Sequence, residues 1–330
     1  MLEKIKALLQ LGRVSNLPTI WTNCIAAWLI AGAGFSRDQW MSFRDLEPLI
    51  GGFGRWIQFP LIVPSMLAAS LLYIGGTALN DAFDIDFDRH HRKNRPIPSG
   101  IFSIYMVWII GLACLVAGAV SFLFNAQTSG DSWHSALIIG LIGMILFYDW
   151  IHKRTVWASV PMGACRFLLY FVVAMAALPD ELEADQMIKL FIIGSALFIY
   201  IVTLTLAARA ESGNEALRIS RRSSYLLYLP VVAWGVVQAM SPGTEPQYLT
   251  GLIIAAIYVI WTKNAIQVLH DKKKDIGKKR IGVAVGRLLA GICLIDALAV
   301  AAVSASFVPA LVCVGFFFTA LWLQRFIPGT

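Results

Sequence analysis

The stretch Asn80-Asp81-Ala82-Phe83-Asp84-Ile85-Asp86-Phe87-Asp88 follows directly on a long apolar segment of a chain that is 58% hydrophobic. On a helix, residues four apart share a face, so Asn80, Asp84 and Asp88 lie together and Asp81 lies beside them. Asp86 falls on the opposite face. Carboxylates at this spacing repel one another, and a divalent cation removes the repulsion. The stretch therefore predicts a helical face of oxygen ligands, and Mg2+ shared with substrate phosphates is the ion that suits it.

Basic residues follow at once, in Arg92-Lys93-Asn94-Arg95-Pro96. The guanidinium groups of Arg92 and Arg95 can grip phosphate oxygens through paired hydrogen bonds, which predicts substrate binding by both. A calcium-binding loop is one alternative, but it requires a short loop with a glycine, and none occurs between Asn80 and Gly100. A solvated helix end is another, but it would rarely carry one Asn and three Asp in phase on one face.

The motif Asn80-Asp81-x-x-Asp84-x-x-x-Asp88, continued by Asn94-Arg95-Pro96-Ile97-Pro98-Ser99-Gly100, resembles the first aspartate-rich motif of the UbiA superfamily of intramembrane polyprenyltransferases. The resemblance implies transfer of a polyprenyl group from its diphosphate to an aromatic or other small acceptor. It also implies Mg2+ bridging two aspartate-rich loops and the diphosphate. In this chain it implies catalytic roles for Asn80, Asp81, Asp84 and Asp88, with Asp84 and Asp88 as metal ligands.

Ten apolar segments approach or exceed the roughly 20 residues that span a bilayer. They lie near residues 15–34, 57–79, 101–124, 134–150, 156–178, 187–208, 224–241, 248–269, 283–304 and 308–325. They predict an all-α, polytopic membrane helical bundle of nine or ten transmembrane helices in the UbiA-like arrangement, with residues 1–330 as a single domain. The first segment also resembles a signal peptide cleaved near Ala31-Gly32-Ala33, but Asn16, Pro18 and Asn23 are unlike a simple apolar core.

The net charge of +7 would suit a nucleic-acid partner, but the basic residues are sorted by connection. They concentrate in alternate connections, at Lys4 to Arg13, Arg89 to Arg95, Lys153 to Arg154, Arg209 to Arg222 and Lys272 to Arg280. The intervening connections hold only Arg37, Arg44 and Arg55. This asymmetry follows the positive-inside rule. It predicts a multi-pass membrane protein without a nucleic-acid partner, whose active-site loops face the cytoplasm.

A second acidic site is expected, because each Mg2+ needs six oxygens. If the fold repeats a unit of four helices, the loop after the sixth helix is the counterpart of the loop after the second helix, where the first motif lies. This later loop carries Glu211 and Glu215. The family pattern has Asp-x-x-x-Asp at this place, so both residues depart from it by one methylene. Asp271 and Asp275 have the family's aspartates but lie two helices too late. Both pairs remain candidates, with Glu211 and Glu215 preferred.

Further candidates lie in the same layer of the predicted bundle. The resemblance implies that Lys153 touches the diphosphate and that Tyr148 lines the reaction cavity. Arg13 and Asn16, at the start of the first helix, resemble substrate-binding positions of the family. Arg166 is predicted to face a polar cavity and bind substrate, because an arginine inside a membrane is unfavourable unless it is paired or hydrated. Asp296 is a second charged residue inside an apolar segment and is unfavourable there for the same reason, but the sequence offers no partner for it.

These features predict a Mg2+-dependent membrane prenyltransferase whose partners are a polyprenyl diphosphate, a small-molecule acceptor and membrane lipid. The alternative is a UbiA-like transporter or isoprenoid-binding protein, which the two glutamates of the second site would suit. A CDP-alcohol phosphotransferase would need Asp-Gly and Ala-Arg pairs that the motif lacks. Acceptor, prenyl chain length and oligomeric state stay open.

Overall fold

The computed structural model describes residues 2–32, 59–125, 132–177, 182–209, 220–240, 245–270, 277–304 and 306–327. The regular elements in these ranges are all helical, which confirms the all-α prediction. In chain order they are α1 (Leu2–Leu11), α2 (Leu17–Ile30), α3 (Phe59–Phe83), α4 (Ile85–His91), α5 (Ile104–Asn125), α6 (Ser132–Ile151), α7 (Ser159–Ala177), α8 (Ala184–Arg209), α9 (Leu229–Met240), α10 (Glu245–His270), α11 (Gly277–Val303) and α12 (Val308–Leu323). Short 3-10 turns at Val14–Asn16, Val156–Ala158 and Ser223–Tyr228 precede α2, α7 and α9.

Eight helical segments of the described residues are long and apolar enough to cross a membrane. They are Ile62–Phe83, Ile104–Phe124, Ser132–Ile151, Val156–Ala177, Ala184–Arg209, Ser223–Met240, Gln247–His270 and Ile281–Val303. The first and last predicted segments form the shorter helices α2 and α12, of 14 and 16 residues. Together with the exposed apolar side chains on α5 and α6, these lengths support an integral multi-pass membrane protein.

Small residues allow α3 and α5 to pack backbone to backbone. A Cβ atom on Gly75 would lie 2.8 Å from the carbonyl oxygen of Gly111, and one on Gly118 would lie 2.9 Å from that of Ala68. Such close contact between small residues is typical of helix pairs in membranes. The packing holds the end of α3, where the acidic motif begins, in a defined position.

Helix α11 lies at the centre of the bundle, because it packs against α2, α8, α9, α10 and α12. Most of its span Ile281–Val303 is buried, and the buried share is higher than for any other candidate span in the described residues. One hydrophobic cluster joins side chains from α2, α3 and α5 through α12. That residues 1–330 form a single domain stays a proposal, which this shared cluster favours.

Candidate active site

The acidic motif lies at the junction of α3 and α4, where the chain remains nearly helical. The backbone N–H of Asp84 donates to the carbonyl oxygen of Asn80 (3.1 Å), and that of Asp88 donates to the carbonyl oxygen of Asp84 (2.9 Å). The i to i+4 spacing therefore brings Asn80, Asp81, Asp84 and Asp88 to one buried side. Asp86 is on the other side, with 91% of its side chain exposed. This arrangement is the one that the spacing predicts.

Arginine side chains from two other segments cross this acidic face. Arg95 Nη1 lies 2.7 Å from Asp81 Oδ1 and 3.0 Å from Asp88 Oδ2, so it bridges two turns of the motif. Arg13 Nη2 donates to Asn80 Oδ1 (3.1 Å) and lies 3.5 Å from Asp81 Oδ1. The repulsion between carboxylates is thus reduced by cations of the chain itself.

Asp84 pairs with the end of α6 and the residues that follow it. Its Oδ1 lies 3.0 Å from His152 Nε2, and its Oδ2 lies 2.7 Å from Lys153 Nζ. The Lys153 ammonium also lies 3.7 Å from the centre of the Phe87 ring. Burial alone would raise the pKa of Asp84, but the hydrogen bonds and charges of His152 and Lys153 outweigh it and lower that pKa. Asp84 is therefore an anion at neutral pH.

Asp88 has the least solvent exposure of the motif, 1%. Burial raises its pKa above the ordinary value, against the opposing charges of Arg95 and Lys153. Its Oδ1 atom is buried without a hydrogen-bond partner among the described residues. A buried carboxylate oxygen of this kind needs a partner, and a hard oxygen-seeking cation such as Mg2+ fits that requirement.

The described residues alone contain no group of three His, Cys, Asp or Glu side chains arranged around one metal position. Glu211, Glu215, Asp271 and Asp275, the candidates for the second acidic site, all lie outside the described residues. The assignment of Asp84 and Asp88 as metal ligands, and the choice between the two second sites, therefore stay predictions.

A cavity of about 100 Å³ opens beside the motif. Its wall is mostly apolar, with residues such as Leu72, Ile145 and Leu169. Its polar members include Arg13, Asn80, Tyr148, Asp149 and Arg166. Tyr148 thus lines a cavity next to the motif, and its place in a reaction cavity stays a prediction.

A second, more polar pocket of about 600 Å³ also borders Arg13. It is lined by residues 90–96 together with Gln10, Arg13 and Asp81. Arg92 is exposed there and makes no ion pair among the described residues, whereas Arg95 is largely buried in the carboxylate cluster. Arg13 lines both spaces.

Asn16 is placed differently from the other substrate-binding candidates. It is 3% exposed, and its Nδ2 donates to the hydroxyl oxygen of Tyr73 (3.1 Å). Tyr73, rather than Asn16, lines the cavity. The structure thus makes Asn16 a support for a wall residue, and direct substrate contact by Asn16 stays a prediction.

Sequence reasoning missed His152 as a polar residue of the site. It predicted that Asp149 could orient Lys153 or Arg154, whereas the Asp149 carboxylate is hydrogen-bonded to Asn80. His152 directly precedes Lys153, and its pairing with Asp84 has no separate sequence signal. Asp149 Oδ1 accepts a hydrogen bond from Asn80 Nδ2 (3.0 Å), and its Oδ2 is buried without a partner in the described part of the chain. An acidic residue inside an apolar segment was the available signal for Asp149.

The sequence profile of the UbiA prenyltransferase family matches residues 50–224, more than half of the 330-residue chain. The chain belongs to this family. It is similar to the protoheme IX farnesyltransferase of Oceanobacillus iheyensis, with 29% identity over 167 residues, 49% of this chain and 45% of that protein. The digeranylgeranylglyceryl phosphate synthase of Sulfolobus acidocaldarius is 22% identical over 244 residues, 68% of this chain and 81% of that protein. The chain thus spans about half the length of the first relative and most of the second.

Solved structures of UbiA homologues share the fold. The homologue from Aeropyrum pernix K1 superposes with a TM-score of 0.61 at 14% identity, over 85% of this chain and 96% of that one. The homologue from Archaeoglobus fulgidus, bound to DMAPP and Mg2+, gives 0.52 at 17% identity, over 87% and 98%. The superfamily predicted from the motif and the all-helical architecture predicted from the apolar segments are confirmed. The matching family is one of prenyltransferases, and solved structures of its homologues share the fold of this chain.

Proposed function

We propose that this UbiA-family chain transfers a polyprenyl group from its diphosphate to a small acceptor at the junction of α3 and α4. The observation that carries the proposal is the position of the acidic motif, between two arginines, a lysine and an apolar cavity. Asp84 lies 2.7 Å from Lys153, Asp81 lies 2.7 Å from Arg95, and Asn80 lines the cavity. A diphosphate bound at this face would have its apolar tail beside an apolar space.

Asp84 and Asp88 would hold Mg2+ at this face, with Glu211 and Glu215 as the second pair and Asp271 and Asp275 as the less favoured alternative. The buried, unpartnered Oδ1 of Asp88 supports this assignment. When bound, Mg2+ would act as a Lewis acid that neutralises phosphate charge and orients the diphosphate.

In this proposal the basic side chains that pair with the acidic motif also bind the diphosphate. Negative charge develops on the diphosphate as the bond between the allylic carbon and the phosphate oxygen breaks. Lys153, Arg92 and Arg95 would donate hydrogen bonds to phosphate oxygens, and such charged hydrogen bonds are stronger than neutral ones. Lys153 and Arg95 would then exchange carboxylate partners for phosphate partners.

The cavity protects the reacting carbon from water. Its mostly apolar wall, together with Tyr148, borders the space beside Asn80. An allylic cation in an enclosed apolar site is shielded from hydrolysis. The electron-rich acceptor then forms the new bond to the allylic carbon and loses a proton to a nearby base or to water.

The site faces the cytoplasm in this proposal, because the basic residues around the motif follow the positive-inside rule. Polyprenyl diphosphates are amphiphilic, so the donor would reach the site from the membrane. The competing proposal, a transporter or isoprenoid-binding protein on the same scaffold, rests on the glutamates that replace aspartates at residues 211 and 215.

An assay with purified protein in detergent separates the two proposals. Labelled polyprenyl diphosphates of several lengths, an acceptor panel and Mg2+ should give a prenylated product. Chelation of Mg2+ should stop turnover, and its readdition should restore it. Donor binding without product for every acceptor would favour the binding protein, and turnover without any divalent metal would contradict the proposed role of Mg2+.

A further inference from the structure

Helix α1 exposes apolar side chains that the packing of the bundle does not explain. Ile5 is 48% exposed and Leu8 is 47% exposed. Neither belongs to a hydrophobic cluster of the described residues. Exposed apolar side chains that lie together on a surface commonly mark a site of interaction. A partner that covers this side of α1 is therefore expected.

The opposite side of α1 is fixed to the bundle. Ala7 and Leu11 are 2% and 1% exposed. They lie in one hydrophobic cluster with Ala78 and Ala82 of α3 and Val107 of α5. The buried side therefore determines which way the exposed side of α1 faces.

The exposed apolar face of α1 consists of Ile5, Leu8 and the half-buried Leu9. These residues form one continuous arc, because successive residues of a helix are about 100° apart. Lys4 and Lys6, both exposed, lie at the two borders of this arc. An apolar face flanked by lysines is typical of a helix in the membrane interface, where the long basic side chains reach the headgroups.

The depth of α1 relative to the membrane follows from its neighbour α5. Val107, which shares the cluster with α1, lies in the first turn of α5, where the candidate span Ile104–Phe124 begins. On the same turn Tyr105 is 79% exposed and Met106 is 47% exposed. A tyrosine at the end of a span is typical of the boundary between lipid and water. The apolar face of α1 therefore lies at the level of the lipid-facing side chains of α5.

The charges at this end of the bundle fit an anionic surface. Lys4 and Lys6 stand against one exposed carboxylate of α1, that of Glu3. The loop after α4 adds the exposed Arg92 and Lys93. None of these four basic side chains makes an ion pair with another described residue. Basic residues next to a membrane span are attracted to anionic lipids, so the surface favours a lipid partner.

The end of α1 also determines the position of Arg13. Arg13 has φ 42° and ψ 48°, and it is the one non-glycine residue of the described chain with a positive φ. Its backbone N–H donates to the Gln10 carbonyl oxygen (3.0 Å), and its side chain reaches Asn80 (3.1 Å) and Asp81 (3.5 Å). A strained backbone of this kind persists only where the surrounding structure fixes it. The packing of α1 is part of that structure.

We propose that α1 binds an anionic lipid surface, with its apolar face among the acyl chains and Lys4 and Lys6 at the headgroup phosphates. Lipid binding keeps α1 on the bundle and thereby holds the Arg13 side chain at the acidic motif. The charge of the membrane then regulates binding of the donor. The lipid surface is independent of the proposed prenyl transfer, whereas the effect on donor binding rests on it.

The first test locates α1 in vesicles that contain the full chain. A fluorescent label on Leu8→Cys or on Gln10→Cys meets lipids that carry a nitroxide quencher near the headgroup. The vesicles are phosphatidylcholine alone or phosphatidylcholine mixed with phosphatidylglycerol. Gln10 lines the polar pocket, so its label should stay in water. We expect several-fold stronger quenching at residue 8 than at residue 10, and the strongest quenching at residue 8 in the anionic mixture. The labelled parent chain gives the background of its own five cysteines.

Charge removal tests the role of the two lysines. Lys4→Gln combined with Lys6→Gln should abolish the effect of phosphatidylglycerol on the label at residue 8, and high salt should do the same by screening. Arg89→Gln combined with Lys93→Gln removes two exposed charges from α4 and the loop after it. This matched control should leave the effect in place.

Three outcomes of these measurements would overturn the lipid surface. The first is equal quenching of the labels at residues 8 and 10. The second is quenching at residue 8 that does not change with phosphatidylglycerol or with the two lysines. The third is a label at residue 8 that is protected from lipid and depends on the ratio of protein to lipid, which would identify a second copy of the chain as the partner.

A double-mutant cycle tests the link between α1 and Arg13. Ile5→Gln combined with Leu8→Gln changes exposed side chains, so folding should be nearly normal. In anionic vesicles this variant should bind geranylgeranyl diphosphate several-fold more weakly in the presence of Mg2+. Arg13→Gln should also weaken binding, and the α1 substitutions should then have no further effect.

Donor binding also separates failure of the link from failure of the proposed function. Wild-type donor binding that is unaffected by the α1 substitutions, or losses that add to that of Arg13→Gln, would contradict the link alone. Absence of donor binding in the wild-type chain would contradict the proposed function together with the link. The quenching measurements decide on the lipid surface in either case.

Discussion

Lys153 Nζ lies 2.7 Å from Asp84 Oδ2, and this contact joins the chain just after α6 to the junction of α3 and α4. His152 Nε2 lies 3.0 Å from Oδ1, the other carboxylate oxygen of Asp84. The carboxylate that is expected to hold Mg2+ thus carries its own counter-charge. Binding of the metal and diphosphate would require Lys153 to move from Asp84 to a phosphate oxygen, a short displacement for a flexible side chain.

Lys153→Gln should weaken binding of the diphosphate donor by roughly 10-fold or more, because a charged hydrogen bond is worth about 1.5–3 kcal/mol. Acceptor binding should change little. Arg154→Gln is the matched control, since Arg154 lies against the Trp150 ring rather than against Asp84. Titration of both variants with a labelled polyprenyl diphosphate measures the effect. An equal loss in the two variants would indicate a general effect of loop charge instead.

Asp84→Asn and Asp88→Asn should each lower prenyl transfer by more than about 100-fold, since loss of even an outer-shell partner of a metal lowers activity or affinity by about 10- to 100-fold. Asn keeps the size of the side chain, so expression should be nearly normal. Asp86→Asn, on the exposed side of α4, should keep wild-type activity. Initial rates at saturating Mg2+ provide the measurement. Rates within a few-fold of wild type for Asp84→Asn and Asp88→Asn would remove both residues from the mechanism.

The second acidic site can be assigned by charge removal at constant size. If two four-helix halves build the site, Glu211→Gln and Glu215→Gln should weaken Mg2+-dependent donor binding, and Asp271→Asn and Asp275→Asn should not. Binding isotherms at several Mg2+ concentrations make the comparison. Loss confined to the two aspartate variants would reverse the assignment. Normal binding in all four variants would favour a scaffold that no longer catalyses.

The orientation of the loops is open to chemical labelling. Single cysteines at Ser99, Ser212 and Lys278 should react from the cytoplasmic side with a membrane-impermeant maleimide, and those at Ser129 and Thr244 from the other side. The parent chain, whose five cysteines lie in apolar segments, sets the background. Reaction of any of the first three from outside would separate the acidic loops and break the proposed site.

The sequence by itself determined the class of this protein, because the signals involved are local. Bilayer thickness sets the length of the apolar segments, and the helical period places Asn80, Asp84 and Asp88 on one face, whatever the rest of the chain does. The motif around them was specific enough to identify the family, which the sequence profile confirms. The unusual position of Arg166 inside an apolar segment was visible for the same reason.

Only the tertiary structure decided which polar groups meet. The partners of Asp296 come from α2 and α7, far away in sequence, and the pairing of Asp84 with His152 depends on how α6 ends beside α3. Such contacts depend on helix rotation and close packing, which apolar membrane helices achieve through many interchangeable residues. A hydropathy pattern contains no information on that rotation. The rotation and packing of the helices therefore determine which residues contact the acidic motif.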